Sequence, residues 1–346
     1  FSAGHYSFSS EFLKREVLNE KTYLETLGKK TTTDTDYPLE TMHRAEPGRE
    51  KLNLVIIMVE SLTFKYMDLL PGNFFDVTPN LNRLRREGML FVNFFASGQR
   101  SIEGVQSILT GIPPLPGIPD ITALSVNYPR LARLAEANHY QSLFVTSTKR
   151  ESISMDLVAG SAGFDEYYGM EDYSLQLNYP EDHDRMPGWD YEALMLLLDL
   201  LETKTSPYLA FINAGADHTP FPKLQSPFNR FEHGRDTEGG YLNMLHYTDW
   251  ALGEFINEYK KRKDFEETVF IITADHALPH FQGAEPYGKF RIPLIIYSPK
   301  NISPGRSQMF ASQIDLFPTI IKLLDLEGKY SAIGKNILDT EKSFAV

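Results

Sequence analysis

Two continuous apolar runs, far apart in the chain, constrain it most. Leu52–Val59 (LNLVIIMV) ends in Glu60, and Thr268–Ala274 (TVFIITA) ends in Asp275 and His276. Unbroken apolar runs of this kind suit strands buried on both faces of a parallel sheet, and ligands of such sheets collect beyond the carboxyl ends of the strands. Two carboxylates and an imidazole would then meet at one sheet edge. Hard oxygens with one nitrogen suit Mn²⁺, Mg²⁺ or Zn²⁺. Taken singly, Glu60 reads first as a carboxylate stabilised at a helix N-terminus, and Asp-His pairs also occur as structural features.

The 346 residues, 42% of them hydrophobic, can bury a full core. A net charge of −12 with no basic run argues against a nucleic-acid surface, because phosphate backbones are held by clustered Lys and Arg. The absence of cysteine excludes a disulfide framework and a thiolate metal site. No apolar run approaches the roughly 20 residues of a membrane-spanning helix, and no signal peptide is visible. The chain opens on Phe1, which reads as a processed or excised piece whose membrane anchor, if there is one, lies outside it.

Residues 1–50 read as an N-terminal arm or linker, with helical composition over Ser9–Leu27 and a polar loop over Lys29–Asp36; an ordinary first helix fits the same residues. Residues 51–346 read as the catalytic domain. From Leu52 onward strand-like runs alternate with helical patterns, which predicts a parallel sheet covered on both faces. Further strands are predicted at Leu143–Thr146, Tyr208–Asn213 and Ile292–Ser298. Helices are predicted at Ile102–Thr110, Tyr191–Thr203, Tyr241–Arg262 and Phe317–Leu324. Another is predicted to open at Thr78-Pro79 and close at Gly88, with Thr78 as N-cap and Gly88 at C′.

Ser101 stands at the start of the helix predicted from Ile102, where free N–H groups and the dipole favour an anion. A serine N-cap is the plain alternative. Arg100 beside it could clamp a phosphate, and a bound cation would help a serine hydroxyl act as nucleophile. His218 follows the strand Tyr208–Asn213 and so falls at the same edge, where it could bond a phosphate oxygen or protonate a leaving group. His280, four residues beyond His276, ranks lower.

Five segments, Val59-Glu60-Ser61, Ser97-Gly98-Gln99-Arg100-Ser101, Asp217-His218-Thr219-Pro220-Phe221, Ala274-Asp275-His276 and Asp315-Leu316-Phe317-Pro318-Thr319, occur in the order found in the sulfatase-like phosphoglycerol transferases, the family of lipoteichoic acid synthases and periplasmic glucan phosphoglycerol transferases. The resemblance covers about residues 50–328. It implies an α/β/α sandwich of the alkaline-phosphatase and sulfatase type, with a mostly parallel central sheet and one divalent metal, Mn²⁺ first and Mg²⁺ or Zn²⁺ as alternatives. By residue match Glu60, Asp275 and His276 resemble its metal ligands, Ser101 its nucleophile that also touches the metal, and His218 its substrate-binding histidine. Thr is usual where Ser101 stands, and both offer a hydroxyl. Gly163-Phe164-Asp165 matches a family segment, but Met155 stands where an Arg is expected, so Arg150 is offered for the phosphate contact. Trp189 and Asp190 are candidates to line the pocket, with a helix N-cap as the other use of Asp190.

What the resemblance implies is transfer of phosphoglycerol from a membrane phospholipid, through a covalent Ser101 intermediate, to an envelope glycan or lipid. The expected place is the extracytoplasmic face of a bacterial cytoplasmic membrane. A sulfatase is discarded, because Ser101-Ile102-Glu103-Gly104-Val105 lacks the Pro and Arg of the formylglycine motif. Phosphoethanolamine transferases of this superfamily typically carry disulfides, and a two-metal phosphatase or phosphodiesterase needs a second ligand set. A non-catalytic lipid-binding or regulatory ectodomain is the rival from another class.

Overall fold

In this computed structural model, residues 40–70, 72, 74–117, 119–123, 127–180, 188–204, 207–281 and 287–339 are described. The chain divides into two compact units, Phe1–Thr41 and Met42–Val346, and the central sheet lies in the second. The helix expected over Ser9–Leu27 and the loop over Lys29–Asp36 lie outside the described residues.

Eight strands form one sheet: β1 (Asn53–Val59), β2 (Met89–Phe95), β3 (Gln141–Thr146), β4 (Glu166–Tyr168), β5 (Tyr208–Ala214), β6 (Thr268–Ala274), β7 (Arg291–Tyr297) and β8 (Gly305–Ser312). Their order is β4-β3-β5-β1-β6-β7-β2-β8. Strands β1, β5 and β6, at the centre, are buried along their whole length. This is why they read as continuous apolar runs, since neither face of a central strand meets water.

The sheet is parallel through β4, β3, β5, β1 and β6, whereas β7 runs antiparallel to both β6 and β2. A parallel return needs a crossover helix, and the described residues between β6 and β7 contain none. The α/β expectation of a mostly parallel sheet therefore holds, with β7 as its reversed strand.

The α-helices among the described residues are α1 (Pro79–Glu87), α2 (Ser101–Thr110), α3 (Leu131–Ala137), α4 (Met155–Ala162), α5 (Asp190–Glu202), α6 (Glu238–Tyr259) and α7 (Leu316–Leu323). Sequence periodicity locates α1, α2, α5, α6 and α7 to within a few residues. It misses α3 and α4, which are only two turns long, and the strands β2, β4 and β8.

Two details of α1 differ from the sequence expectation. Thr78 does not cap the helix with its side chain; its hydroxyl donates to the Tyr66 carbonyl at 3.1 Å. The cap comes from another helix, for Asp249 of α6 accepts the Asn80 and Leu81 N–H groups at 2.9 and 2.8 Å. Gly88 is extended (φ −126°) rather than left-handed. A Cβ there would lie 2.6 Å from the Ile296 carbonyl oxygen, so the residue serves a close approach to β7.

Candidate metal centre and nucleophile

Register brings the first two carboxylates together. Val59 of β1 pairs with Ala214 of β5 and with Ala274 of β6, so the next residues, Glu60, Gly215 and Asp275, leave the sheet at one level. Glu60 N–H still donates to the Ala214 carbonyl at 2.8 Å, which fixes its Cα at the sheet edge. Glu60, Asp275 and His276 are all buried, and their ligand atoms lie within 4.8 Å of one another. Among the described residues no other such cluster of His and carboxylates is found.

The elbow after β1 is held from several sides. Ser61 has φ of +56°, an uncommon conformation for a residue with a Cβ, which persists where its surroundings over-determine it. Its N–H donates to Asp275 Oδ1 at 2.8 Å and its hydroxyl to Glu60 Oε1 at 2.8 Å, while its carbonyl accepts from Thr63 and Tyr241 hydroxyls. Asp275 Oδ1 also accepts the His276 N–H at 2.7 Å.

The remaining oxygen, Asp275 Oδ2, is buried and accepts no hydrogen bond. It stands 3.3 Å from His276 Nε2, which is 3.5 Å from Glu60 Oε1. On the far side of the ring Nδ1 meets the Ala277 carbonyl at 3.1 Å. A carbonyl only accepts, so Nδ1 carries a proton, and in the neutral ring Nε2 would turn its lone pair toward two carboxylates. Three electron-rich atoms facing one another in a buried site call for a cation or protons. Burial, reinforced by Asp275, pushes Glu60 up to about 8. Burial opposes protonation of His276, but the Asp275 and Glu60 charges outweigh it and raise the imidazole. These groups fit a divalent metal, with a backbone-bonded imidazole as its orienting partner.

Ser101 is the first residue of α2, buried, with its hydroxyl donating to Glu60 Oε2 at 3.2 Å. Arg100, not Ser101, occupies the N-cap position. Helix α2 can come this close because of Gly104, where a Cβ would lie 2.2 Å from the Asp275 carbonyl oxygen. One buried side chain ties nucleophile loop to metal loop: Gln313 donates through Nε2 to the Ala274 and Asp275 carbonyls (2.9 and 2.7 Å) and accepts the Ser97 N–H at Oε1 (2.8 Å). Sequence reading missed Gln313, although it stands two residues before the Asp315 segment.

A cleft of about 470 Å³ opens over this cluster, lined among others by Glu60, Ser101, Arg100, His218, His276 and His280. The structure therefore brings together most of the residues singled out from sequence. Arg100 is 72% exposed and paired with Glu103 at 2.8 Å. His218 is exposed, and its Nδ1 meets the Thr219 carbonyl at 2.6 Å. Ile153 and Asp217 also line the cleft; Ile153 carried no sequence signal, and Asp217 opens one of the five family segments without having been singled out as a site residue.

Three candidates belong neither to the buried cluster nor to the lining of this cleft. Arg150 is paired with Asp172 through Nε (2.8 Å) and Nη2. Trp189 is buried and stacks on Tyr179 at 3.7 Å between ring centroids. Asp190 is buried and accepts from Ala216 N–H and the Thr248 hydroxyl, so its carboxylate orders the loop before His218 and does not cap α5. The Asp315 segment is structural in geometry, its carboxylate accepting the Ser312 and Lys335 N–H groups at 2.8 Å each.

Residues 52–326 match the family model described as Sulfatase. The chain is 26% identical over 336 residues to the lipoteichoic acid synthase of Staphylococcus saprophyticus, covering 88% of this chain and 51% of that protein. It is 22% identical over 317 residues to lipoteichoic acid synthase 2 of Bacillus subtilis, covering 84% and 48%. The chain thus spans about half the length of the curated relatives it matches. Among solved structures, an alkaline phosphatase superfamily protein from Vibrio parahaemolyticus superposes with a TM-score of 0.78 at 26% identity, covering 94% of this chain and 79% of that one. A lipoteichoic acid synthase from Listeria monocytogenes gives a TM-score of 0.73 at 22% identity, covering 92% and 81%, a likeness of fold. The sheet order, the buried cluster at the ends of β1 and β6 and the extent of the family match agree: the chain belongs to the sulfatase family.

Proposed function

We propose that this chain is the catalytic part of a metal-dependent transferase that moves phosphoglycerol from a membrane phospholipid, through a covalent Ser101 intermediate, to a hydroxyl of an envelope glycan or lipid. The observation that carries the reading is the Ser101 hydroxyl, 3.2 Å from Glu60 at the edge of a buried acid and imidazole cluster. Similarity to lipoteichoic acid synthases supports the choice of phosphoglycerol.

Glu60, Asp275 and His276 would hold the metal, with Ser101 beside it, and Mn²⁺ is the ion we favour over Mg²⁺ or Zn²⁺. When bound, such an ion neutralises phosphoryl charge and lowers the pKa of a hydroxyl. Ser101 Oγ gives up its proton and forms a bond to phosphorus as the bond from phosphorus to the diacylglycerol oxygen breaks, and that oxygen takes up a proton. In the second step the oxygen of an acceptor hydroxyl bonds phosphorus as the phosphorus–Ser101 Oγ bond breaks; the acceptor loses its proton and Ser101 Oγ regains one. His218, whose Nδ1 proton is engaged by Thr219, keeps Nε2 for the substrate, and Arg100 offers charge to the phosphoryl oxygens. The place we assign is the extracytoplasmic face of a bacterial membrane. Among the described residues no helix is long and apolar enough to cross a membrane.

The non-catalytic lipid-binding reading draws on one observation, the pairing of Arg100 with Glu103 and of Arg150 with Asp172. Ser101→Ala separates the two readings. Release of glycerol phosphate from labelled phosphatidylglycerol should disappear in the variant; undiminished release would overturn the covalent mechanism.

A further inference from the structure

We infer that the reactive edge of the sheet carries its own membrane-docking surface, an aromatic cluster of Phe95, Tyr287, Phe290 and Phe310 bordered by Lys289 and Arg291, which seats on an anionic bilayer beside the Ser101 cleft. The inference rests on the reading of the donor as a lipid and adds where that lipid is met. Tyr287 is 70% exposed, Phe310 50% and Phe290 37%. The rings are not scattered: Phe95 stacks on Phe310 with centroids 6.1 Å apart and meets Tyr287 edge-on at 6.5 Å.

Register decides which end of the sheet they occupy. Strand β2 runs parallel to β8, and antiparallel β7 separates it from β6, so β2 and β6 point the same way. Phe95 is the last residue of β2, two residues before the Ser97 loop that leads to Ser101, and it pairs with Arg291 at the start of β7. Phe310 lies near the same end of the edge strand β8. A turn in which Phe290 and Arg291 N–H groups both donate to the Tyr287 carbonyl fixes that ring's backbone, and Ala96 N–H donates to the Phe290 carbonyl.

Edge strands are ordinarily blunted by charge or covered, which leaves an exposed ring at the end of β8 in want of an occupant. Nine large hydrophobic side chains are exposed among the described residues; three belong to this cluster, and Ile153 and Leu115 line the Ser101 cleft and the cavity beside it. The majority therefore gather around the reactive edge, where random exposure would spread them. The charge favours a bilayer as occupant. In a chain of net charge −12, Lys289 and Arg291 have no carboxylate partner among the described residues; Lys289 is exposed, and Arg291 bonds the Val92 carbonyl and lies over the Phe64 ring at 4.1 Å. Aromatic rings with basic neighbours suit the headgroup level of an anionic membrane.

Flotation of the purified chain with vesicles of phosphatidylglycerol and phosphatidylcholine tests this. The wild type should float with them and not with phosphatidylcholine alone. The Tyr287→Ser/Phe310→Ser double variant should lose binding about tenfold or more, and Lys289→Glu should lose several-fold on the anionic vesicles only. Turnover of vesicular lipid should fall in parallel, while turnover of a water-soluble short-chain phosphatidylglycerol stays at the wild-type level, which also reports an intact fold. A wild type that fails to float, or a double variant that floats equally well, would overturn the inference. So would a dimer in sedimentation that the same substitutions dissociate, since the patch would then belong to a second copy. A wild type inactive on both lipids would sink the transferase reading and leave docking to the flotation result.

Discussion

The cradle of Glu60, Asp275 and His276 and the rim of Arg100, His218 and His280 share one cleft, yet they are built in opposite ways. The cradle is buried and its elements are cross-bonded through Ser61, Gln313 and backbone amides. The rim is exposed and its side chains bond only to near neighbours, Glu103 for Arg100 and Thr219 for His218. The difference teaches a division of labour. A cation site needs donors placed to within tenths of an ångström, which rigid strand ends supply. A substrate rim carried on loops tolerates change, so head group and acceptor preference should be set there.

The comparison can be broken most severely at the cradle. Asp275→Ala removes the oxygen that accepts no hydrogen bond and should lower turnover by about 10³-fold or more, with Mn²⁺ binding lost in calorimetry. His218→Asn tests the rim: turnover should drop about a hundredfold while Mn²⁺ affinity stays the same. A parallel loss of metal affinity would show that the two regions are not separate.

Gln313→Ala should weaken metal binding by about 10-fold to 100-fold, as losses of groups that orient ligands do. It should also disorder the Ser97 loop, read as faster amide exchange at Ser97.

A pH series sharpens the contrast further. Burial raises Glu60 to about 8 and Asp249 to about 7 in the folded chain, far above their unfolded values. Between about pH 4 and pH 8 the folded state then binds more protons than the unfolded one. The contribution of these groups is present at low pH and is lost as pH rises. Metal-free protein should accordingly melt at lower temperature at pH 8 than at pH 5, and a divalent cation should restore more at pH 8, where the ligands are deprotonated. A flat melting profile would contradict this. Asp249→Asn should remove only the part that does not respond to metal.

The smallest effect is expected at Arg150→Ala. Its pair with Asp172 is partly exposed, so stability should change by no more than about 1 kcal/mol. A loss of turnover would instead place Arg150 at the substrate.

Much of this was legible in sequence because central strands and chemistry leave strong local marks. β1 and β6 are continuous apolar runs, and Glu60, Asp275 and His276 stand at their ends. The short β4 and the edge strand β8, partly exposed, have no such pattern, and neither does the reversal at β7, which depends on what connects it to β6. Gln313 was illegible for a different reason. An amide acquires its role only from the three backbone groups it meets, from segments widely separated in the chain.

The sequence by itself determined the α/β class, the buried strands and the identity of the acid, imidazole and hydroxyl groups, since these follow from hydropathy pattern and side-chain chemistry. Only the tertiary structure decided that β1 and β6 are adjacent in register, that Gly104 lets α2 bring Ser101 to Glu60, and that Arg150, Trp189 and Asp190 are engaged elsewhere. Contacts between residues far apart in sequence depend on strand order and packing, which no local pattern encodes.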